Sequence, residues 1–344
     1  MFDDAPALLA RVLRADRTES VHRGSVAVVD EDGRVLASCG APGAEIYLRS
    51  AAKPFQVMPL LAAGGESAFG LKNDEIALMC ASHGGEPRHV RVARRILDRG
   101  GFGVRDLGCG AHFPMHEPSA RALIAAGERP SALHNNCSGK HAGLLLTCRL
   151  LGIPSRGYWE PWHPLQAEIM ARVSEFTGVP SASIGVAVDG CSLPVYFLPL
   201  SALALSYARL LARGWPGEGG AAAARVVRAM SASPGMVAGR GRFTTDFLEA
   251  GAGKWIGKEG AEGVYAVGLA ARGKNEKSVG IAFKIEDGSS RSRDAVCLAI
   301  LERLGRLTPR TKSRLARWRR PVIRNVRGLA VGEVRAEVPL ATDG

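Results

Sequence analysis

Two β-rich runs lie within Gly24–Ser38, on either side of Asp30-Glu-Asp-Gly33. Acidic residues followed by glycine between such runs predict a hairpin, so a sheet starts early in the chain. From Ser50 to Ala63 the apolar spacing becomes helical and stops at Gly64-Gly65. Lys72-Asn-Asp-Glu75 reads as the cap of a second helix that runs to Cys80. Helical spacing recurs over 89–98, 119–126, 140–151, 164–177, 202–213 and 221–230. Strand-like runs return at 263–269 and 278–285, and a closing helix is expected over 293–304. The pattern predicts an α/β chain of the α+β type. It would have three layers and a mainly antiparallel sheet, and form a single unit over 1–344 with a helical middle region at about 89–235.

Composition narrows the class. The 344 residues are 46% hydrophobic and 23% charged, which is ordinary for a folded globular protein with a sizeable core. No apolar run is long enough to span a bilayer, and the first residues, MFDDAPALLARVL, carry acids where a signal peptide carries bases. The expected compartment is the cytoplasm. Seven scattered cysteines are odd in number and too sparse for a disulfide framework, so they are read as reduced thiols, some of them candidate ligands. The net charge of +12 raises the question of nucleic acid, but much of it falls in Arg310–Arg320. A solvated face or a flexible connection accounts for that segment as well as phosphate tracking does.

Candidate chemistry gathers at five places. Arg49-Ser50-Ala-Ala-Lys53-Pro54 puts a serine and a lysine on one helix face, where a neutral amine could take the hydroxyl proton as the oxygen attacks a carbonyl. Pro54 fits only the first helical turn, so Ser50 stands at the entrance, where serine is also a common cap. Ser82-His83-Gly-Gly-Glu86 follows an apolar run and would hold a hydroxyl on a glycine-rich turn. His134-Asn-Asn-Cys137-Ser-Gly-Lys140-His141-Ala-Gly143 packs polar side chains and glycines directly before an apolar helix. Val186-Ala-Val-Asp189-Gly-Cys191 ends a strand-like run in a turn, and Lys254-Trp-Ile-Gly-Lys258-Glu-Gly-Ala-Glu-Gly263 leads into another.

In this order, over about Gly24 to Ile285, these blocks resemble the L-asparaginase II family of the rhizobial type, which is itself similar in fold to serine β-lactamases and glutaminases. The resemblance implies hydrolysis of L-asparagine to aspartate and ammonia, with two Ser-Lys tandems, Ser50 with Lys53 and Ser82 with Lys258. Lys254 is an alternative to Lys258, and the Gly-Ala-Glu-Gly after Lys258 favours the latter. It also implies a zinc bound by Cys137, Lys140 and Cys191. Thiolate chemistry alone would sooner supply His134 or His141 as the third ligand, because an ammonium must first lose its proton. Arg49 could grip the substrate carboxylate as a two-pronged fork and Asp189 its ammonium, with His134 a further substrate-binding candidate. An ion pair for Arg49 and a turn-forming role for Asp189 are the plainer readings. The expected partners are L-asparagine and a second copy of the chain in a homodimer, with no membrane. The alternatives are another serine amidohydrolase or β-lactamase-like acyl hydrolase and, outside enzymes, a basic nucleic-acid-binding protein.

Overall fold

The hairpin predicted around Asp30 is present in the computed structural model, which describes residues 5–342. Strands Arg17–Asp30 and Val35–Cys39 pair antiparallel. Between them Asp30 Oδ1 accepts from the N–H groups of Asp32 and Arg34, and Gly33 takes the left-handed φ of 91° that closes the turn. Among the described residues this hairpin belongs to a nine-stranded sheet. Its main path runs Val322–Arg324, Ala330–Ala336, Ala7–Arg14, Arg17–Asp30, Val279–Ile285, Val264–Leu269, Trp255–Glu259. Val35–Cys39 and Ala341–Thr342 branch from Arg17–Asp30, and every pairing described is antiparallel.

These strands belong to the first of two compact units, formed by the chain up to Ala51, Leu198–Ala212 and everything from Ala250. Helix Leu200–Leu210 lies on the sheet over strands Val264–Leu269 and Val279–Ile285. The approach is so close that a Cβ on Gly280 would sit 1.7 Å from the Ala204 carbonyl oxygen, and one on Gly268 would sit 2.5 Å from that of Tyr207. Gly268 and Gly280 are cross-strand partners, so the two bare positions form one slot for the helix. Val267, Ile281 and Phe283 are buried in the same sheet, each side chain contributing roughly 1.5–3 kcal/mol through loss of apolar surface to water.

The second unit, Ala52–Phe197 with Arg213–Glu249, is mostly helical. The short helix Asn73–Met79 packs against Ser138–Leu151 and Gly217–Ala232. Its Glu75 is fully buried and accepts from Arg95 at 2.9 Å and Arg99 at 2.6 Å, both on helix Pro87–Gly100. The two part-exposed arginines keep this buried carboxylate paired. Strand Gly185–Val188 pairs antiparallel with 194–197. The helix expected over 50–63 is instead a 3-10 turn, Arg49–Ala52, followed by helices Lys53–Gln56 and Met58–Ala62. Pro54 and Pro59 lack the N–H that a continuous helix needs and fit only first turns.

Candidate active site

Each polar residue of the His134–His141 block has a definable task. His134 Nδ1 accepts from the Ser131 N–H at 3.0 Å. The Asn135 side chain donates to the carbonyls of Cys109 and Gly110 and accepts from the Cys137 N–H, tying a distant loop to the start of helix Ser138–Leu151. The Cys137 thiol donates to Asn136 Oδ1 at 3.0 Å. Ser138 Oγ donates to the Leu133 carbonyl and accepts from His83 Nε2, whose Nδ1 accepts from the Gly85 N–H. Gly139 lies against helix Asn73–Met79, His141 Nδ1 meets the Tyr158 hydroxyl at 2.6 Å, and Lys140 reaches across to Cys191.

That last contact defines a buried cluster. Lys140 Nζ donates to Cys191 Sγ at 2.9 Å, and Cys137 and Cys191 are hydrogen-bonded neighbours. The bond from Cys191, opposed by burial and helped by the cations of Lys140 and Lys53, holds the Cys137 thiol well below the usual thiol range. The helix N-terminus at which Cys137 sits favours the same anion. Cys191 moves the opposite way, raised first by that bond and then by burial. Burial alone would lower Lys140, but the facing sulfurs of Cys137 and Cys191, one of them a hydrogen-bond acceptor, outweigh it and raise the amine. Nearby Cys109 is pushed up to about 12 by burial and then by the Cys137 charge. Cys137, Cys191 and Lys140 are thus two sulfur donors and a nitrogen in mutual reach, a set that could hold a metal ion. Among the described residues no three His, Cys, Asp or Glu side chains converge in that way. None of the seven cysteines is in a disulfide, and all are buried.

Lys53 is the other buried amine of this unit, with 1% of its surface exposed. It starts helix Lys53–Gln56 and donates to the Ala81 carbonyl at 2.6 Å and to Ser82 Oγ at 3.0 Å. Ser82 stands on the predicted glycine-rich turn, and both of its backbone groups are engaged. Its N–H donates to the Val237 carbonyl at 3.0 Å, and its carbonyl accepts from Arg242 Nη1 at 3.0 Å. The Arg240 N–H donates to Glu86 Oε1 at 2.9 Å, at the far end of the turn. The 237–242 stretch is therefore a clamp on the serine turn. Only Gly239 and Gly241, flanking Arg240, hinted at it in the sequence.

The remaining candidates are placed as follows. Ser50 is half-buried in the 3-10 turn Arg49–Ala52. Arg49 adopts a left-handed φ of 49°, sparsely populated for a side chain of its size, and faces Glu262 in an ion pair at 3.9 Å. Lys258 is fully buried on strand Trp255–Glu259 and donates to the Glu259 carbonyl at 2.8 Å, whereas Lys254 is exposed. These four lie in the first unit. Asp189 Oδ1 accepts from the Gly190 N–H in the turn after strand Gly185–Val188, and its charge acts on Lys140. His134 borders a cavity of about 570 Å³ with Gly85, Leu123 and Glu128.

Comparison with known proteins gives the chain a family. It belongs to the L-asparaginase II family, whose model matches residues 10–336. A crystal structure of Mglu in its native form is 18% identical, with 83% of this chain and 61% of that chain covered and a TM-score of 0.35. A probable glutaminase from Bacillus subtilis, complexed with 6-diazo-5-oxo-L-norleucine, is 9% identical, with 81% of this chain and 83% of that one covered and the same TM-score of 0.35. The chain spans less than two thirds of the length of Mglu. No curated protein matches it, and among the described residues no helix is long and apolar enough to cross a membrane.

Proposed function

We propose that the protein is an L-asparaginase that hydrolyses the side-chain amide of L-asparagine to L-aspartate and ammonia through a serine ester. The observation that carries this reading is the buried Lys53 amine 3.0 Å from the Ser82 hydroxyl, in a chain of the L-asparaginase II family. In its neutral form Lys53 accepts the proton of a serine whose oxygen bonds to the amide carbon. The proton is returned to the amide nitrogen as the C–N bond breaks and ammonia leaves. Water then attacks the ester, releasing aspartate and restoring the serine. The sequence motif makes Ser50 the nucleophile, three residues before its base, with Ser82 and Lys258 relaying the proton to the leaving group. A second reading makes Ser82 itself the nucleophile, and the Lys53 hydrogen bond favours it. Arg49 is assigned the substrate α-carboxylate, Asp189 the α-ammonium and His134 a supporting contact. A cytoplasmic homodimer is the proposed setting.

The cluster of Cys137, Cys191 and Lys140 fits zinc by its donor set, since two sulfurs and an amine nitrogen suit that borderline-soft ion once they have given up their protons to it, and the Cys137 thiol is held low. Zinc there would supply a fixed positive charge that orients substrate, which serine chemistry can use without depending on it. Ammonia release from asparagine, glutamine and a panel of simple amides tests the activity. Release from asparagine is expected, and release from another amide alone would keep the amidohydrolase and replace the substrate. Elemental analysis of the same preparations tests the metal. About one zinc per chain is expected in the wild type and in His134→Ala, with most of it lost in Cys137→Ser and Cys191→Ser. Loss in His134→Ala would exchange Lys140 for an imidazole ligand.

A further inference from the structure

From Arg303 to Arg327 the chain carries ten lysines and arginines and no acidic residue, so one stretch holds most of the net charge of +12. The structure orders this stretch. Helices Pro309–Arg314 and Ala316–Arg319 lead into a hairpin of strands Val322–Arg324 and Ala330–Ala336. Thr308 caps the first helix, and Glu302 fixes Lys312 and Arg319. Arg319 and Arg320 border one cavity with Arg335 and Ala336, so the basic helix lies beside the second strand of the hairpin. Arg303, Arg310, Arg320, Arg324 and Arg327 are exposed.

The tip of the hairpin is tight and apolar. The Asn325 N–H donates to the Leu329 carbonyl and its Oδ1 accepts from the Leu329 N–H, both at 3.0 Å. The Gly328 N–H donates to the Asn325 carbonyl at 2.9 Å, and Arg324 Nη1 donates to the Gly328 carbonyl at 2.7 Å. This turn holds Val326 fully in solvent, with Leu329 and Val322 each more than half exposed. Clustered exposed aliphatic side chains mark a contact surface. A second copy of the chain would set like charge against like charge. Nucleic acid would satisfy the cations, but single strands are gripped through aromatic stacking, and Trp318, the segment's one aromatic residue, already stacks on the Arg317 guanidinium at 4.7 Å. An anionic bilayer satisfies both features, with headgroup phosphates for the arginines and the acyl boundary for Val326 and Leu329.

We propose that this hairpin and the basic segment before it dock the protein reversibly on an anionic lipid surface. The proposal departs from the expectation that membranes play no part, and it requires no spanning segment. The cytoplasmic face of a membrane carries the matching negative potential.

The test is co-sedimentation of the full chain with vesicles of phosphatidylcholine alone and of equal parts phosphatidylcholine and phosphatidylserine. The protein should pellet with the mixed vesicles only, and be released as salt is raised. Val326→Ser with Leu329→Ser leaves the charge unchanged and should lower binding about tenfold. Arg324→Gln with Arg327→Gln should lower it about tenfold or more. Far-UV circular dichroism confirms that both variants fold, as substitutions at an exposed tip should. Failure to pellet with mixed vesicles at low salt overturns the proposal. So does undiminished pelleting of the serine variant together with equally tight retention on single-stranded RNA, which would make the surface a general polyanion site.

Discussion

Lys53 is the residue on which competing accounts of the chemistry meet, because its amine touches Ser82 while the motif pairs it with Ser50. Removing the base should disable whichever serine attacks. Lys53→Ala is therefore expected to lower kcat/KM for amide hydrolysis by about a thousandfold or more. Combining it with alanine at the true nucleophile should add little, since a nucleophile and its base act as a unit. The other serine, if it only relays a proton, should leave a larger residue of activity when replaced. Acid-quenched turnover followed by peptide mass analysis identifies the acylated serine directly. An adduct on neither Ser50 nor Ser82 would remove both readings. The Ser-x-x-Lys spacing was visible in the sequence because helical geometry relates neighbours. The Lys53–Ser82 and Lys140–Cys191 contacts were not, because they join positions separated by 29 and 51 residues, and no local period connects them.

At the scale of elements, the packing of helix Ser138–Leu151 on helix Asn73–Met79 sets where Lys140 points. Gly139→Ala separates two opposing effects. In an open helix the change would stabilise by about 0.5–1 kcal/mol, through lower backbone entropy in the unfolded chain. Here the new Cβ would lie 2.3 Å from the Leu78 carbonyl oxygen and 2.7 Å from Leu78 Cγ. That carbonyl belongs to a helix anchored through Glu75 to Arg95 and Arg99, so it cannot retreat cheaply. Overpacking of this kind costs about 1–3 kcal/mol, and the clash should win. Thermal unfolding should show a lower Tm, and ammonia release should fall as Lys140 is pushed off Cys191. A variant as stable and active as the wild type would show that the helices do not approach so closely. Elements with a sustained period were legible: helix Pro164–Thr177 matches its expected bounds, and Arg293–Arg303 ends one residue early. Strands Ala7–Arg14 and Ala330–Ala336 escaped notice because their identity comes from pairing with each other across nearly the whole chain. The proline-broken start of the 50–63 region escaped because apolar spacing alone does not register a missing N–H.

At the scale of the whole molecule, fold class and family were legible in the order of the motifs, while the buried titrating groups were not. His83 and His89 lie ring against ring with centroids 5.0 Å apart and are fully buried. Burial first, and then neighbouring cations, hold His83 well below the ordinary imidazole value of 6.5. Burial lowers His89 to about 4, against the opposing pull of Glu86 and a hydrogen bond to the Gly235 carbonyl. Because the folded state resists protonation that the unfolded chain accepts, the stability these rings contribute is complete above pH 6.5. It drains away as pH falls toward 4. Glu86, held low despite burial by the Arg240 N–H, His89 and Arg88, loses its contribution in the same direction at more acid pH. The protein should therefore lose roughly a few kcal/mol of stability between pH 6.5 and pH 4, read as a falling urea midpoint. The net charge of +12 offers a rival cause, since acidification increases self-repulsion. Salt distinguishes the two, because it screens surface repulsion but leaves the cost of charging a buried ring. The loss should persist at high salt and shrink in His89→Gln, whose amide can still donate to the Gly235 carbonyl. Full recovery of the midpoint by salt at pH 5 would assign acid sensitivity to the basic surface instead.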